Sequence, residues 1–203
     1  MEKIYLDQAS TSFPKAPGVA ETVCQYLKGP AVNVNRGAYS AAYSVEEQIF
    51  ETREQLRRLF HFSSGKGKNV IFTKNITESL NILLKGILHP GDHVLVTSME
   101  HNAVMRPLVQ LQENGVAFDR IPCRPDGSLM LAEAEKLLRP ETKLLVCLHG
   151  SNVCGTLMPV REIGLFCRRH KILFILDAAQ TAGVFPIDME EFHIDALAFT
   201  GHK

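Results

Sequence analysis

The feature that most constrains this chain is a repeated alternation of short, continuously apolar runs with segments of helical period. Val70-Ile71-Phe72-Thr73, His93–Thr97, Val116–Ile121, Lys143–Leu148, Ile172–Leu176 and Ala196–Phe199 read as strands. Asn75-Ile76-Thr77-Glu78 is an N-cap and capping-box signature, and it opens a helix with Leu80, Leu83, Leu84, Ile87 and Leu88 on one stripe. His89-Pro90-Gly91-Asp92 ends that helix, and the spacing predicts further helices over Ala103–Glu113, Leu131–Leu138 and Val160–His170. Runs that are apolar at successive positions suit strands covered on both faces. The strand–helix repetition therefore predicts an α/β fold with a mostly parallel sheet covered by helices.

Upstream of the repetition, Ala16–Leu27 reads as a helix and Val32–Tyr43 as an irregular loop. Ser44-Val45-Glu46-Glu47 opens a long amphipathic helix, with Ile49, Leu56, Leu59 and Phe60 predicted to face inward. Ser63–Lys68 is short, polar and glycine-rich, and reads as a loop.

Composition narrows the function classes. With 203 residues, 45% of them hydrophobic, the chain can bury a sizeable core. Lysine plus arginine number 22, as do aspartate plus glutamate, so no net charge draws it to nucleic acid or an anionic membrane. No stretch approaches the roughly 18 apolar residues of a membrane span, and Asp7 interrupts the start, which is too weakly apolar for a signal peptide. The five cysteines are odd in number, widely spread and without a C-x-x-C pair. They read mostly as buried structural thiols, Cys154 included, in a reducing cytoplasm, and no metal site is expected.

In open α/β sheets ligands bind beyond the carboxyl ends of the strands, so polar residues there draw attention. Asn75-Ile76-Thr77 follows the run at 70–73, and its free N–H groups and the Thr77 hydroxyl could hold a phosphate. From this turn alone, plain capping is the stronger reading. Glu100-His101-Asn102, Ser151-Asn152, Asp177 through Gln180, and Thr200, His202 and Lys203 follow the other strands. Any one of them is unspecific, but a phosphate-holding helix start with an Asp and a Lys on neighbouring strands is what pyridoxal 5'-phosphate requires. Its aldehyde takes a lysine amine, and its ring nitrogen stays protonated beside a carboxylate. No G-x-G-x-x-G follows a strand, which leaves little for a dinucleotide reading.

These residues resemble the cysteine desulfurases and related class V aminotransferase-fold enzymes, which are type I pyridoxal-phosphate enzymes. The similarity runs through Tyr5–Thr11, Thr73–Ser79, Glu100–Ala103, Ser151–Gly155, Asp177–Gln180 and Thr200–Lys203, six motifs in order. Asn33-Val34-Asn35-Arg36-Gly37 and the S-N-V-x-G motif resemble the branch that contains selenocysteine-lyase-like desulfurases. The resemblance implies that Lys203 forms the Schiff base and moves the Cα proton. It places Asp177 on the ring nitrogen, His101 on the ring face as a possible proton carrier, and Asn152 and Gln180 on the phenolic oxygen. Thr77, the backbone of Asn75 and Ile76, Thr200 and His202 would hold the phosphate. The family turn commonly has Ala where this chain has Ile76, so only a backbone role carries over there.

The implied activity is cysteine desulfuration: L-cysteine gives L-alanine, and sulfur passes to an enzyme cysteine as a persulfide. A class V aminotransferase or a selenocysteine or cysteine lyase would share every residue named, and a non-catalytic scaffold that kept the fold is the alternative from another class. The resemblance also implies a homodimer and allows a sulfur-acceptor protein as partner. In the family the nucleophilic cysteine and the substrate-carboxylate arginine lie after the Schiff-base lysine. Residues 1–15 would then be an N-terminal segment and 16–203 part of the large domain, with the rest of that domain and a small C-terminal domain beyond Lys203. The family's next strand runs antiparallel between the strand after residue 195 and the one at 69–73, so the free 203-residue chain is expected to be unstable or to aggregate. An ending at this lysine fits a truncated chain, cleavage after a lysine or, best, a lysine covalently modified by its cofactor.

Overall fold

A computed structural model of the protein describes residues 4–29, 32–34, 37 and 39–203. Asn35 and Arg36 of the asparagine-rich motif lie outside the described residues, as does Ala38 of the loop around it. The chain divides into two compact units: one extends to Ile71 and includes His202–Lys203, and the other is Phe72–Gly201.

The first unit holds α1 (Val19–Lys28) and α2 (Ser40–Leu59). Helix α2 starts four residues before Ser44, so part of the predicted loop is helical. The added turn contains Ala41 and Ala42, good helix formers without a period to read, and Ala42 is buried. Phe60 is buried as expected, but Leu59 is 53% exposed: it sits at the last helical position, off the inward stripe. After Ser63–Gly65 the chain makes a short 3-10 turn, Lys66–Asn69, with Gly67 buried against Arg53 and Glu54 of α2. The Glu54 carboxylate accepts the Gly67 N–H.

The second unit is built on α3 (Ile76–Ile87), β1 (His93–Thr97), α4 (Asn102–Gln112), β2 (Ala117–Ile121), α5 (Ala134–Leu137), β3 (Thr142–Leu148), α6 (Val160–His170), β4 (Leu173–Asp177) and β5 (Ala196–Ala198). The five strands form one sheet in the order β2-β1-β3-β4-β5, every neighbouring pair parallel. All five residues of β1, and the last five of β3, are buried, as strands covered on both faces must be.

One face carries Val94, Val96, Leu144, Val146, Ile175 and Ala198, packed with Leu80 and Leu84 of α3 and Ala103, Val104 and Leu108 of α4. The alternate residues Leu145, Cys147, Phe174 and Leu176 point to the other face, where α6 packs on β4. The chain leaves β1 for β2 on one side and enters β3 on the other, so the order reverses between β1 and β3. That reversal is the crevice where doubly wound sheets take ligands.

Two further expectations fail. Residues 70–73 form no strand among the described residues: a strand needs a ladder, and this run has none, leaving Ile71 71% and Phe72 52% exposed. Of the cysteines, Cys147 and Cys167 are buried, but Cys24 and Cys154 are exposed and Cys123 is intermediate. Cys154 follows the apolar strand β3 only after a polar turn, which places it outside the core.

Candidate active site

The carboxyl edge of the sheet is assembled from local turns. At the start of α3, Asn75 is extended and its side-chain carbonyl accepts the Glu78 N–H at 2.9 Å. The Glu78 carboxylate reaches back to the Lys74 N–H at 2.7 Å, one residue before the usual capping-box partner. Thr73 Oγ1 donates to the Asn75 carbonyl at 3.0 Å and lies 2.6 Å from Ser79 Oγ. The turn is thus fixed without using the Ile76 and Thr77 N–H groups or the exposed Thr77 hydroxyl, which have no acceptor or donor partner among the described residues. Capping leaves these donors open to an anion, because it uses different groups.

At the end of β1, His101 caps α4, its Nδ1 accepting the Ala103 N–H at 3.1 Å. An accepting Nδ1 leaves the ring proton on Nε2, so the exposed imidazole presents Nε2 outward. After β3, buried Ser151 ties a turn: its hydroxyl accepts from Val153 N at 3.2 Å and Cys154 N at 3.3 Å, leaving Asn152 exposed at the turn.

Asp177, the last residue of β4, is 5% exposed and accepts the Ala179 N–H through Oδ1 at 2.9 Å. It registers with Leu148 and with Ala198, and Ala198 packs in the cluster that Ile76 of α3 joins. The acid and the α3 start therefore share one face and one end of the sheet. Gln180 is half-buried just beyond Asp177, and Thr200 follows β5 by two residues.

Asn75, Ile76, Thr77, His101, Asn152, Asp177, Gln180 and Thr200 all lie in the second unit at its carboxyl edge. His202 and Lys203 belong to the first unit. There the His202 carbonyl accepts from Thr11 Oγ1 (2.9 Å), Ser12 N and Oγ (both 3.1 Å) and Lys15 Nζ (3.2 Å). The Tyr5–Thr11 motif is itself folded into a turn: the Tyr5 hydroxyl donates to the Asp7 and Thr11 carbonyls, and the Gln8 amide pairs with the Phe13 backbone.

Sequence reasoning missed the roles of Lys15, Ser12 and Glu100. Glu100 Oε1 accepts from Thr97 Oγ1 at 2.6 Å and from Leu148 N at 2.9 Å, and its buried Oε2 has no hydrogen-bond partner among the described residues. Burial, with the nearby Asp177 charge adding to it, raises this carboxyl to about 8. The available signal was a carboxylate directly before a helix-capping histidine at a strand end.

A doubly wound α/β unit with an unclaimed helix start and a buried acid on the same edge has the features with which such folds receive anionic ligands at their strand ends. The chain belongs to the aminotransferase class-V family, whose model matches residues 4–203. It is 34% identical over 206 residues to the cysteine desulfurase IscS of Vibrio campbellii, covering 98% of this chain and 50% of that one. A solved apo cysteine desulfurase from Thermococcus onnurineus NA1 superposes with a TM-score of 0.89 at 31% identity, covering 98% of this chain and 50% of the other. SspA in complex with cysteine gives 0.89 at 27% identity, with 98% and 57% covered. The chain spans about half the length of the curated relatives it matches. No helix among the described residues is long and apolar enough to cross a membrane.

Proposed function

We propose that the protein is a pyridoxal-phosphate-dependent cysteine desulfurase that converts L-cysteine to L-alanine and passes sulfur to an enzyme cysteine. The observation that carries the reading is buried Asp177 at the end of β4, on the sheet face where α3 presents two unclaimed N–H groups. A buried carboxylate suits a cation beside it, and a helix start favours a dianion; the protonated ring and phosphate of this cofactor match both. The names of the relatives support cysteine as substrate.

When bound, the cofactor withdraws electrons from the bond to the substrate's Cα proton. The chain's own residues set up that event. Asp177 holds the proton on the ring nitrogen, and the Ile76 and Thr77 N–H groups with the Thr77 and Thr200 hydroxyls hold the phosphate. His202 belongs to the phosphate set by the family motif. Asn152 and Gln180 orient the ring's phenolic oxygen, and His101 packs on its face with Nε2–H available for proton transfer. Lys203 Nζ would hold the cofactor's aldehyde carbon and would be the base that takes the Cα proton. A homodimer, a protein sulfur acceptor, a reducing cytoplasmic setting and a large domain completed by further chain belong to the same proposal. Family membership supports them, and the exposed thiols of Cys24 and Cys154 suit a reducing compartment.

The test is reconstitution of the full-length protein with pyridoxal phosphate. The expected results are a visible absorbance band, borohydride trapping on Lys203 located by mass spectrometry, and alanine with persulfide from L-cysteine. Keto acid formation from an amino donor would replace the desulfurase reading with an aminotransferase. A protein that stays colourless with added cofactor would overturn both.

A further inference from the structure

The turn that follows β1 is tied on two sides. Past Val96–Val146, the last registered pair of β1 and β3, the chain swings toward β2. There the Ser98 N–H donates to the Ile121 carbonyl at 2.9 Å, and Ser98 Oγ accepts the Cys123 N–H at 3.0 Å. That departure takes the backbone acceptors of β1 away from the end of β3. The Glu100 side chain fills their place: Oε1 accepts the Leu148 N–H at 2.9 Å and the Thr97 hydroxyl at 2.6 Å. Thr97 Oγ1 in turn accepts the Met99 N–H at 3.3 Å, so turn, carboxyl and strand end share one chain of hydrogen bonds. Oε2 has no hydrogen-bond partner among the described residues, and the whole tie therefore passes through a single oxygen.

His101 is the next residue, and its ring is fixed to α4 by the Ala103 N–H. What fixes the head of α4 to β3 is Glu100. Leu148 registers with Asp177 across β3 and β4, and the His149 N–H donates to the Asp177 carbonyl at 2.8 Å. The path from His101 through Glu100 and Leu148 to Asp177 thus runs over hydrogen bonds and strand register, with no loop in between. Without the Glu100 acceptor, residues 98–101 would keep their hydrogen bonds to β2 and lose the one to β3. Thr97 is fully buried and Glu100 half-buried, which limits the water that could take over these bonds.

We propose that Glu100 is a positioning residue for His101: by tying the turn to β3 through Oε1, it sets the imidazole at a fixed place relative to the strand end that carries Asp177. The proposal rests on the cofactor reading given above, in which His101 packs on the ring face and Asp177 meets the ring nitrogen. A ring contact is worth something only at the right separation and tilt, so a turn free to shift away from β3 loses it. Accepting two hydrogen bonds is all that the tie asks of Glu100, and an amide oxygen does this as well as a carboxyl oxygen.

The test is a double-mutant cycle on the full-length apoprotein, titrated with pyridoxal phosphate and followed by the visible circular dichroism of the bound cofactor. His101→Ala should weaken binding roughly three- to tenfold, the worth of a ring contact. Glu100→Ala should cost about threefold and dim the dichroism, but in the His101→Ala background it should change affinity by less than about 1.5-fold. Glu100→Gln, which keeps the accepting oxygen, should bind within about twofold of wild type. Equal effects of Glu100→Ala in the two backgrounds, or a Glu100→Gln variant as poor as Glu100→Ala, overturn the proposal and leave the cofactor reading intact. Absence of binding by wild type overturns both. If Glu100→Ala does not fold, Thr97→Val, which removes the hydroxyl at one end of the tie, takes its place in the cycle. An effect that vanishes with His101→Ala then supports the proposal, and one that persists sinks it.

Discussion

The imidazole of His93 faces the carboxylate of Asp119 across β1 and β2, with Nε2 3.2 Å from Oδ2. The ring is 1% exposed, and its other nitrogen lies 2.8 Å from Thr142 Oγ1. Arg139 closes the network: its N–H donates to Thr142 Oγ1 at 2.8 Å, and its guanidinium to Asp119 at 2.5 Å. One consistent proton arrangement has Thr142 donating to Nδ1 and Nε2–H donating to Asp119, which makes the ring neutral. Burial lowers the His93 pKa, and the Arg139 charge lowers it further against the pull of Asp119. The folded state thus binds fewer protons here than the unfolded one, so the contribution is complete above about pH 6.5 and lost as pH falls through the lowered value. In urea unfolding curves from pH 5 to 7.5, wild type should weaken on the acid side. His93→Gln should be less stable by roughly 1–3 kcal/mol at pH 7.5 and lose that acid dependence.

Gly164 offers a packing test. It is buried in α6, and an added Cβ would lie 1.8 Å from the Phe192 carbonyl oxygen. Helix propensity alone would make Gly164→Ala stabilising by about 1 kcal/mol. The clash is with backbone and reverses the sign, so a loss of at least about 2 kcal/mol is expected by chemical denaturation. A variant as stable as wild type would show that the loop at Phe192 yields freely.

The α3 start separates capping from ligand holding. Asn75→Ala removes an N-cap bond and should cost about 1 kcal/mol of stability with or without phosphate. Thr77→Val removes an exposed hydroxyl with no partner among the described residues. Its thermal midpoint should stay near wild type while its affinity for pyridoxal phosphate falls roughly tenfold, a loss of about 1.4 kcal/mol. Absorbance titration and thermal unfolding, run on both variants, check the split.

Cys154 should be the reactive thiol of the second unit. The Ser151 hydroxyl, and after it the Thr156 hydroxyl 3.3 Å from Sγ, pull it down to about 7, whereas burial pushes Cys147 and Cys167 up. Iodoacetamide at pH 7.5 should label Cys154 at least about tenfold faster than either buried thiol, as read by peptide mass spectrometry.

Much of the fold was legible because its periods are local. The β1 strand His93–Thr97 and the α6 helix Val160–His170 fall where the apolar pattern put them. The failures share one cause, in that the missing information was non-local. Val70–Thr73 has strand composition, but a strand exists only through a partner, and no local pattern states which run supplies one. The same holds for the site. The strand-end rule pointed to His101 and Asp177, each beside the end of its own strand, whereas Thr77 stands at a helix start whose expected strand is absent among the described residues. Glu100 acquires its role only from the gap between β1 and β3, and Lys15 only from a carbonyl at His202.

That last contact bears on how the protein matures. The His202 carbonyl is gripped by Thr11 and Ser12, some 190 residues away in sequence. Closing a loop of that span is slow compared with forming α4 or the β1–β2 pair, so the grip belongs among the late events of folding. Lys203 follows directly, so its backbone is placed only once segments far apart in this chain have met. On the function proposed above, covalent capture of an aldehyde by Lys203 would report that this grip has formed, since chains without it would lack the anchored lysine.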